Sequence, residues 1–383
     1  MRISILVFLS TILINTLSAS TDIIRVELFN NFAIKTLIIS PIEGKYLFIT
    51  DKGADYKLKK NNIVYFTIIR DSISVWDHEQ HLGIFKWIEF TGTARVNAFK
   101  IESALPSLSP RYYEGDLRIT TKNNELEIEN SVPIESYLAG VVESESGPNA
   151  PYEFYKTQAI ISRTYLLAHI LKQGQEDYKI GDDVNHQVYK SMSLQNPLIK
   201  QAVTHTNGLV IVDTLNQLIT ATFHSNSGGQ TLNSEEVWLS ETSYLKGTTD
   251  PFSLEQRNTY WQDTILVTDW LRYLSENGVD ISDDTAKIDN LYFEQDIRKK
   301  YYAYKQDTVP LRKIRADFKL RSTWFSIKPE GNYIIFTGKG YGHGVGLSQE
   351  GAMQMARQNY SFIDIINYYY KNVKVINYHQ LLP

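Results

Sequence analysis

The chain has no cysteine among its 383 residues. That excludes a disulfide framework, a thiolate-ligated zinc site and a lipid anchor attached through cysteine. An excess of one charge is missing too: 39 basic and 43 acidic side chains give a formal net charge of -4, which is no electrostatic footprint for nucleic acid. There is neither a low-complexity segment nor a convincing internal repeat. What is present is 43% hydrophobic and 12% aromatic residues, enough to bury a substantial core and fold by packing alone.

Residues 1 to 20, "MRISILVFLSTILINTLSAS", combine one Arg, an uncharged apolar run and the small residues Ser18, Ala19 and Ser20. This is the pattern of a cleavable secretory signal peptide. The alternative is an uncleaved membrane anchor, because the run approaches the ~18 residues a spanning helix needs. Either reading exports the body of the protein to the periplasm, cell wall or extracellular space, and cleavage leaves no stable membrane anchor.

From 21 to about 105, short runs such as "YLFIT", "IVYFTII" and "SISVW" alternate with "DKGAD", "KKNN" and "DHEQ", the pattern of a β-rich N-terminal region. "DLRITT" and "ELEIEN" flank "KNN" as a hairpin ending near Glu129-Asn130. Helical periodicity is expected at 133 to 146 and 151 to 172, and again in "TDWLRYLSENG" and "SFIDIINYYYKN". Strand character returns at 203 to 224 and 307 to 338. The fold class is therefore α+β, with residues 106 to 383 as one domain carrying a more polar insertion around 252 to 304.

The segment "GVVESESGPNAP" holds Glu143 and Glu145 ahead of a Gly-Pro break. Pro133 suits the first turn of a helix that Gly147-Pro148 ends. At ~100° per residue, Ile134, Tyr137, Leu138, Val141 and Val142 share one face. Glu145 falls on that face, whereas Glu143 points to the opposite, solvent side. A carboxylate on an apolar face is costly unless paired or protonated, and desolvation raises its pKa. Glu145 is thus a reasonable proton donor for a leaving oxygen; pairing with a nearby Arg or Lys is the alternative. In the next helix Gln158, Arg163 and His169 interrupt an apolar run and need partners. Arg163 suits either a substrate group or a structural ion pair.

The stretch "VPIESYLAGVVESESGPNAPYEFYKTQAIISRTY" resembles the signature of the SpoIID/LytB family, the stage II sporulation protein D type of peptidoglycan lytic transglycosylase. "HQVY", "TATFHSNSGGQT", "VWLSETSYLKGTTDP", "STWFSI" and "GKGYGHGVGLSQEGAMQMA" follow in the family's order. The resemblance implies a mixed domain in which a central catalytic helix pair packs on β-strands. It also implies cleavage between N-acetylmuramic acid and N-acetylglucosamine of peptidoglycan glycan strands, leaving 1,6-anhydro ends. Glu145 would be the acid. Arg163, Tyr244, Lys246 and Gln158 would bind substrate, with His224 and His343 as further candidates; a histidine hydrogen-bonded inside a tight glycine-rich loop is the alternative for His343. No cofactor is implied. Some members carry a His-Cys pair and further cysteines, but here Asn185-His186 and a cysteine-free chain make a poor zinc site, so no metal is expected. Two other classes stay open: a non-catalytic wall-binding enhancer of a cell-wall amidase, and a hydrolase pairing Glu145 with Glu235 or Glu236.

Overall fold

The computed structural model describes residues 23–53, 55–173, 179–183, 187–238 and 240–381; the expected signal peptide lies outside them. The fold is α+β with a β-rich N-terminal region. It comprises two compact units, one running to Tyr137 and including the segment from Lys179, the other holding the remainder. No helix among the described residues is long and apolar enough to cross a membrane.

The first unit is a pair of sheets. One runs, edge to edge, through Ile180–Gly181, Ile23–Leu28, Glu125–Pro133, Asp116–Lys122, Ile88–Gly92, Lys45–Thr50 and Asp55–Lys59. The other runs through Arg111–Glu114, Ala98–Leu105, Thr36–Glu43, Val64–Ile69, Ser72–Trp76 and His81–Phe85. Alternate residues of Ile23–Leu28 and Lys45–Thr50 are buried, as expected where one face of a strand is covered. Rings from both sheets meet in the core: Phe48 lies 6.3 Å from both Phe66 and Phe85, and Tyr46 lies 5.9 Å from Phe99. The expected hairpin is present. Asn123 and Asn124 both have positive φ, 51° and 59°, which a tight two-residue turn requires and Asn tolerates. Its second strand continues past Asn130 to Pro133, which pairs with Ile23. Pro133 therefore ends a strand, and the helix starts one residue later; sheet pairing, invisible locally, decides that boundary.

The segment from Lys179 is tied into this unit by Asp182. Its carboxylate takes a close ion pair from Arg111 Nη1 and a hydrogen bond from the Phe29 N–H at 2.8 Å, while the Arg111 guanidinium sits 4.1 Å over the Phe29 ring.

Helix α1 (Ile134–Ser146), whose first turn ends the first unit, and α2 (Tyr152–Gln173) in the second occupy the two stretches where periodicity predicts them. Ile134, Tyr137, Leu138, Val141 and Val142 are all buried. Gly147 ends α1 with φ +70°, the left-handed conformation that glycine adopts most cheaply. Helix α2 is buried nearly all round and forms a core with Ile211, Ile219, Leu347, Ile365 and Ile366. A second core gathers Trp261, Trp270, Phe325 and Phe336 around a sheet in which Tyr333–Lys339 pairs with Tyr260–Leu266 on one side and Phe325–Glu330 on the other. Two stretches read as strand overlap helices: α3 (Pro197–His205), started by the Asn196 side chain accepting from the Leu198 N–H, runs into the first residues of 203–224, and the short helix Leu311–Asp317 lies within 307–338. "LITATFHS" keeps only the two-residue strand Phe223–His224, parallel to Leu347–Ser348.

Candidate active site

Gly140 fixes what approaches the catalytic-helix candidate. A Cβ there would stand 2.4 Å from the Ser191 carbonyl oxygen and 2.5 Å from the Tyr189 ring, so glycine alone lets residues 189–191 lie against α1. The same close approach carries Val188 to the helix's last turn, where its N–H donates to Glu145 Oε1 at 3.3 Å. Glu145 is partly buried, and its carboxyl is held above the ordinary 4.5, first by burial, against the opposing Val188 hydrogen bond and Lys190 charge.

Behind Glu145 is a chain of amides. Gln349 Nε2 lies 3.5 Å from the Glu145 carbonyl oxygen and 3.5 Å from Gln158 Oε1. Gln158 Nε2 in turn reaches Ser162 Oγ at 3.3 Å, and Gln187 Nε2 reaches the Ser162 carbonyl at 3.3 Å. Gln158 is fully buried, and this chain supplies the partners that a buried amide needs. Gln349 is absent from the sequence-based candidates. Its signal was its place in "GLSQEG", directly after the strand Leu347–Ser348 and at the start of the helix Gln349–Arg357.

Glu143 departs from the expectation of a plain solvent-side charge. Ser193 Oγ and the N–H of Gln195 donate to its Oε2 at 2.8 and 3.2 Å, and the N–H of Leu194 donates to Oε1 at 3.2 Å. Three donors on one carboxylate anchor the turn at 193–195. The two glutamates thus divide: Glu143 is held by three donors of the chain, and Glu145 takes the Val188 N–H on Oε1.

The remaining candidates lie as follows. Arg163 is fully buried, and its guanidinium donates to the carbonyls of Thr206 at 2.8 Å, Leu209 at 3.1 Å and Val203 at 3.4 Å. It thereby closes the C-terminal end of α3, where a cation also opposes the helix dipole. Tyr244 is partly buried, with its hydroxyl accepting from the Thr220 N–H at 2.9 Å. Lys246 pairs closely with Glu241 and lies 3.8 Å from Glu235.

His343 sits on the loop before Leu347–Ser348. Val345 N–H donates to its Nδ1 at 3.1 Å, so Nε2 carries the hydrogen and donates to the Phe223 carbonyl at 2.9 Å. Burial, and then the nearby arginines, push its pKa down to about 4; the ring is neutral at pH 7. Trp238 lies 5.3 Å from it, and His224 5.4 Å on another side. His224 is buried, with Nδ1 donating to the Val345 carbonyl at 3.2 Å. Glycine is required here as well: a Cβ on Gly342 would meet His224 Cβ at 2.6 Å. His186 lies outside the described residues, among which no group of three His, Asp or Glu gathers as metal ligands.

Glu145, Gln158 and Gln349 therefore share one contact chain, and His224 and His343 form a second group. The strand pair Phe223–His224 with Leu347–Ser348 joins them, since Gln349 follows Ser348 and His224 pairs with Ser348. The arrangement sets a carboxyl whose pKa burial raises at the end of a chain of buried amides.

A family model described as stage II sporulation protein matches residues 122–212, which contain α1, α2 and Glu145. The chain is 28% identical over 377 residues to an uncharacterized protein of Brachyspira hyodysenteriae, covering 95% of both chains. To an amidase enhancer of Bacillus subtilis it is 29% identical over 293 residues, 63% of this chain and 40% of that protein. With stage II sporulation protein D of Bacillus amyloliquefaciens it shares 32% identity over 272 residues, 67% of this chain and 76% of that protein. At that identity and coverage, on the segment that builds the Glu145 site, the chain belongs to the stage II sporulation protein D family.

Proposed function

We propose that this chain is a peptidoglycan lytic transglycosylase, cutting the bond between N-acetylmuramic acid and N-acetylglucosamine with Glu145 as its single acid and base. A cell-wall-related role goes with the family. The reaction is our reading, and the observation that carries it is the partly buried Glu145 carboxyl with its pKa raised by desolvation.

One carboxyl suffices if the sugar supplies the nucleophile. Protonated Glu145 gives its proton to the bridging oxygen as the bond from the anomeric carbon to that oxygen breaks. The 6-hydroxyl of the same muramic residue then forms the new bond to the anomeric carbon, and its proton goes to the Glu145 carboxylate, restoring the acid. No water enters, in contrast to hydrolases that use two carboxylates. The Val188 N–H on Oε1 fixes the carboxyl's orientation and leaves Oε2 to carry the mobile proton. Gln158 and Gln349 hold the end of α1 in place; Tyr244, Lys246 and His343 are candidate sugar contacts, and the buried His224 supports the His343 loop through Val345. Arg163 acts on this reading through α3. Export belongs to the same proposal and rests on the residues 1 to 20.

Mass spectrometry of peptidoglycan, intact and amidase-stripped, digested by wild type and by Glu145→Gln tests the reading. Anhydro-muramyl products that vanish in the variant support it, and reducing-end products would replace it with hydrolysis. The amidase enhancer relative favours one other reading, wall binding that assists an amidase. Wild-type protein that sediments with walls, yields no product and stimulates an amidase would establish that one.

A further inference from the structure

A pocket of about 130 Å³ lies on the His343 side of the strand pair, walled by Trp238, Tyr301 and Leu311. Four cations line it: Lys299, Lys300, Arg312 and Arg315. Among the described residues none of the four forms an ion pair. Lys299 Nζ donates to the Glu294 carbonyl at 2.8 Å, Lys300 Nζ to the Glu235 carbonyl at 3.3 Å, Arg312 Nη1 to the Val237 carbonyl at 3.5 Å, and Arg315 Nε to the Leu320 carbonyl at 3.3 Å. The pocket's one carboxylate, Glu236, is engaged through Oε1 by the backbone and side-chain nitrogens of Asn233.

A second observation points the same way. Arg298, beside the pocket and not among its lining residues, is held between the Trp324 ring, 4.9 Å away, and Gly344, next to His343; its Nη2 donates closely to the Ser227 carbonyl, whereas its Nε and Nη1 are buried with no hydrogen-bond partner. The charges of Arg298 and Arg315 both act, after burial, to keep His343 neutral. Lys299, Lys300 and Arg312 are exposed, so the cost of an uncompensated charge falls on the partly buried Arg315 and is relieved when an anion arrives; planar guanidinium groups suit oxyanions in particular. The aromatic walls suit the apolar face of a sugar.

We propose that this pocket is an anion subsite that binds a carboxylate carried by the peptidoglycan strand. The inference rests on the peptidoglycan reading above. Two sources offer that chemistry, the lactyl carboxylate of a muramic residue without its peptide and the free carboxylates of a stem peptide.

The test is calorimetric titration of Glu145→Gln protein, which does not turn over on the reading above, with three tetrasaccharides: neutral chitotetraose, a peptide-free muramic-acid-containing strand fragment, and the same fragment bearing stem peptides. At least one anionic fragment is expected to bind about tenfold more tightly than chitotetraose at low salt, an advantage that shrinks as salt rises. Whichever fragment shows it identifies the source of the carboxylate. Adding Lys300→Glu and Arg312→Glu, both exposed, is expected to erase the advantage and leave chitotetraose binding unchanged. Equal affinity for neutral and anionic fragments, or an advantage that survives both charge reversals in protein with an unchanged melting curve, overturns the proposal. Binding is read apart from cleavage, so absence of anhydro products from wild type would remove the transglycosylase reading without touching this measurement.

Discussion

The N–H of Val188 donates to Oε1 of Glu145 across 43 positions of sequence, at 3.3 Å. This contact holds the carboxyl of α1 in one orientation, and Gly140 makes it possible by admitting residues 189–191 to the helix surface. Glu145→Gln keeps the shape and the acceptor oxygen but removes the proton, so cleavage is expected to fall by about 100-fold or more with the circular dichroism spectrum unchanged.

The pH dependence has a definite sign. Glu145 has a folded pKa above 4.5. Its favourable contribution to stability is fully present below pH 4.5, where the carboxyl is protonated folded or unfolded, and is lost as pH rises through the folded value. Melting curves of wild type and Glu145→Gln should therefore converge in acid, with the variant gaining on wild type as pH rises. Activity dependent on the protonated acid should fall over the same rise. Parallel melting curves at every pH would show that Glu145 carries no shift.

His343 has the opposite sign. Its folded pKa of about 4 lies below the ordinary 6.5, so its contribution is whole above pH 6.5 and is lost as pH falls through 4. His224, also depressed by burial, acts in the same direction. Denaturant unfolding of His343→Gln between pH 4 and 7 should show a shallower acid loss than wild type.

Gly140→Ala should be destabilising beyond its small volume, because the new methyl would meet backbone and a ring at 2.4 and 2.5 Å. Overpacking of this kind costs ~1–3 kcal/mol. The accompanying displacement of residues 188–191 should lower kcat as well, which a thermal melt and a turnover assay on the same sample would separate.

Arg163→Met tests whether that side chain serves the fold or the substrate. Three carbonyls lose their donor, a loss of ~2–4 kcal/mol by the usual worth of charged hydrogen bonds and buried unpaired acceptors. A lower Tm with KM unchanged in the folded fraction is the expected result. An unchanged Tm with a raised KM would place Arg163 on the sugar instead.

Much of the local architecture was legible in the residues alone. The apolar face of "PIESYLAGVVESES" located α1, its Gly-Pro end and the glutamate that shares the buried side, because helical periodicity depends only on near neighbours. "KNN" located a hairpin because two consecutive positive φ angles admit few residue types. Family order marked Gln158, Tyr244, Lys246 and His343 without saying what any of them touches. What tertiary structure decided depends on residues distant in sequence. Glu143 became an anchor because the turn at 193–195 folds against it, and Arg163 became the closing group of α3, a helix that the sequence reading did not predict. Gln349 reached Glu145 only through a parallel pairing of two-residue strands, and four cations line one pocket because the segment 299–300 and the short helix Leu311–Asp317 come together there. Hydrogen-bond geometry and burial are set by that assembly, and no window along the chain contains both partners.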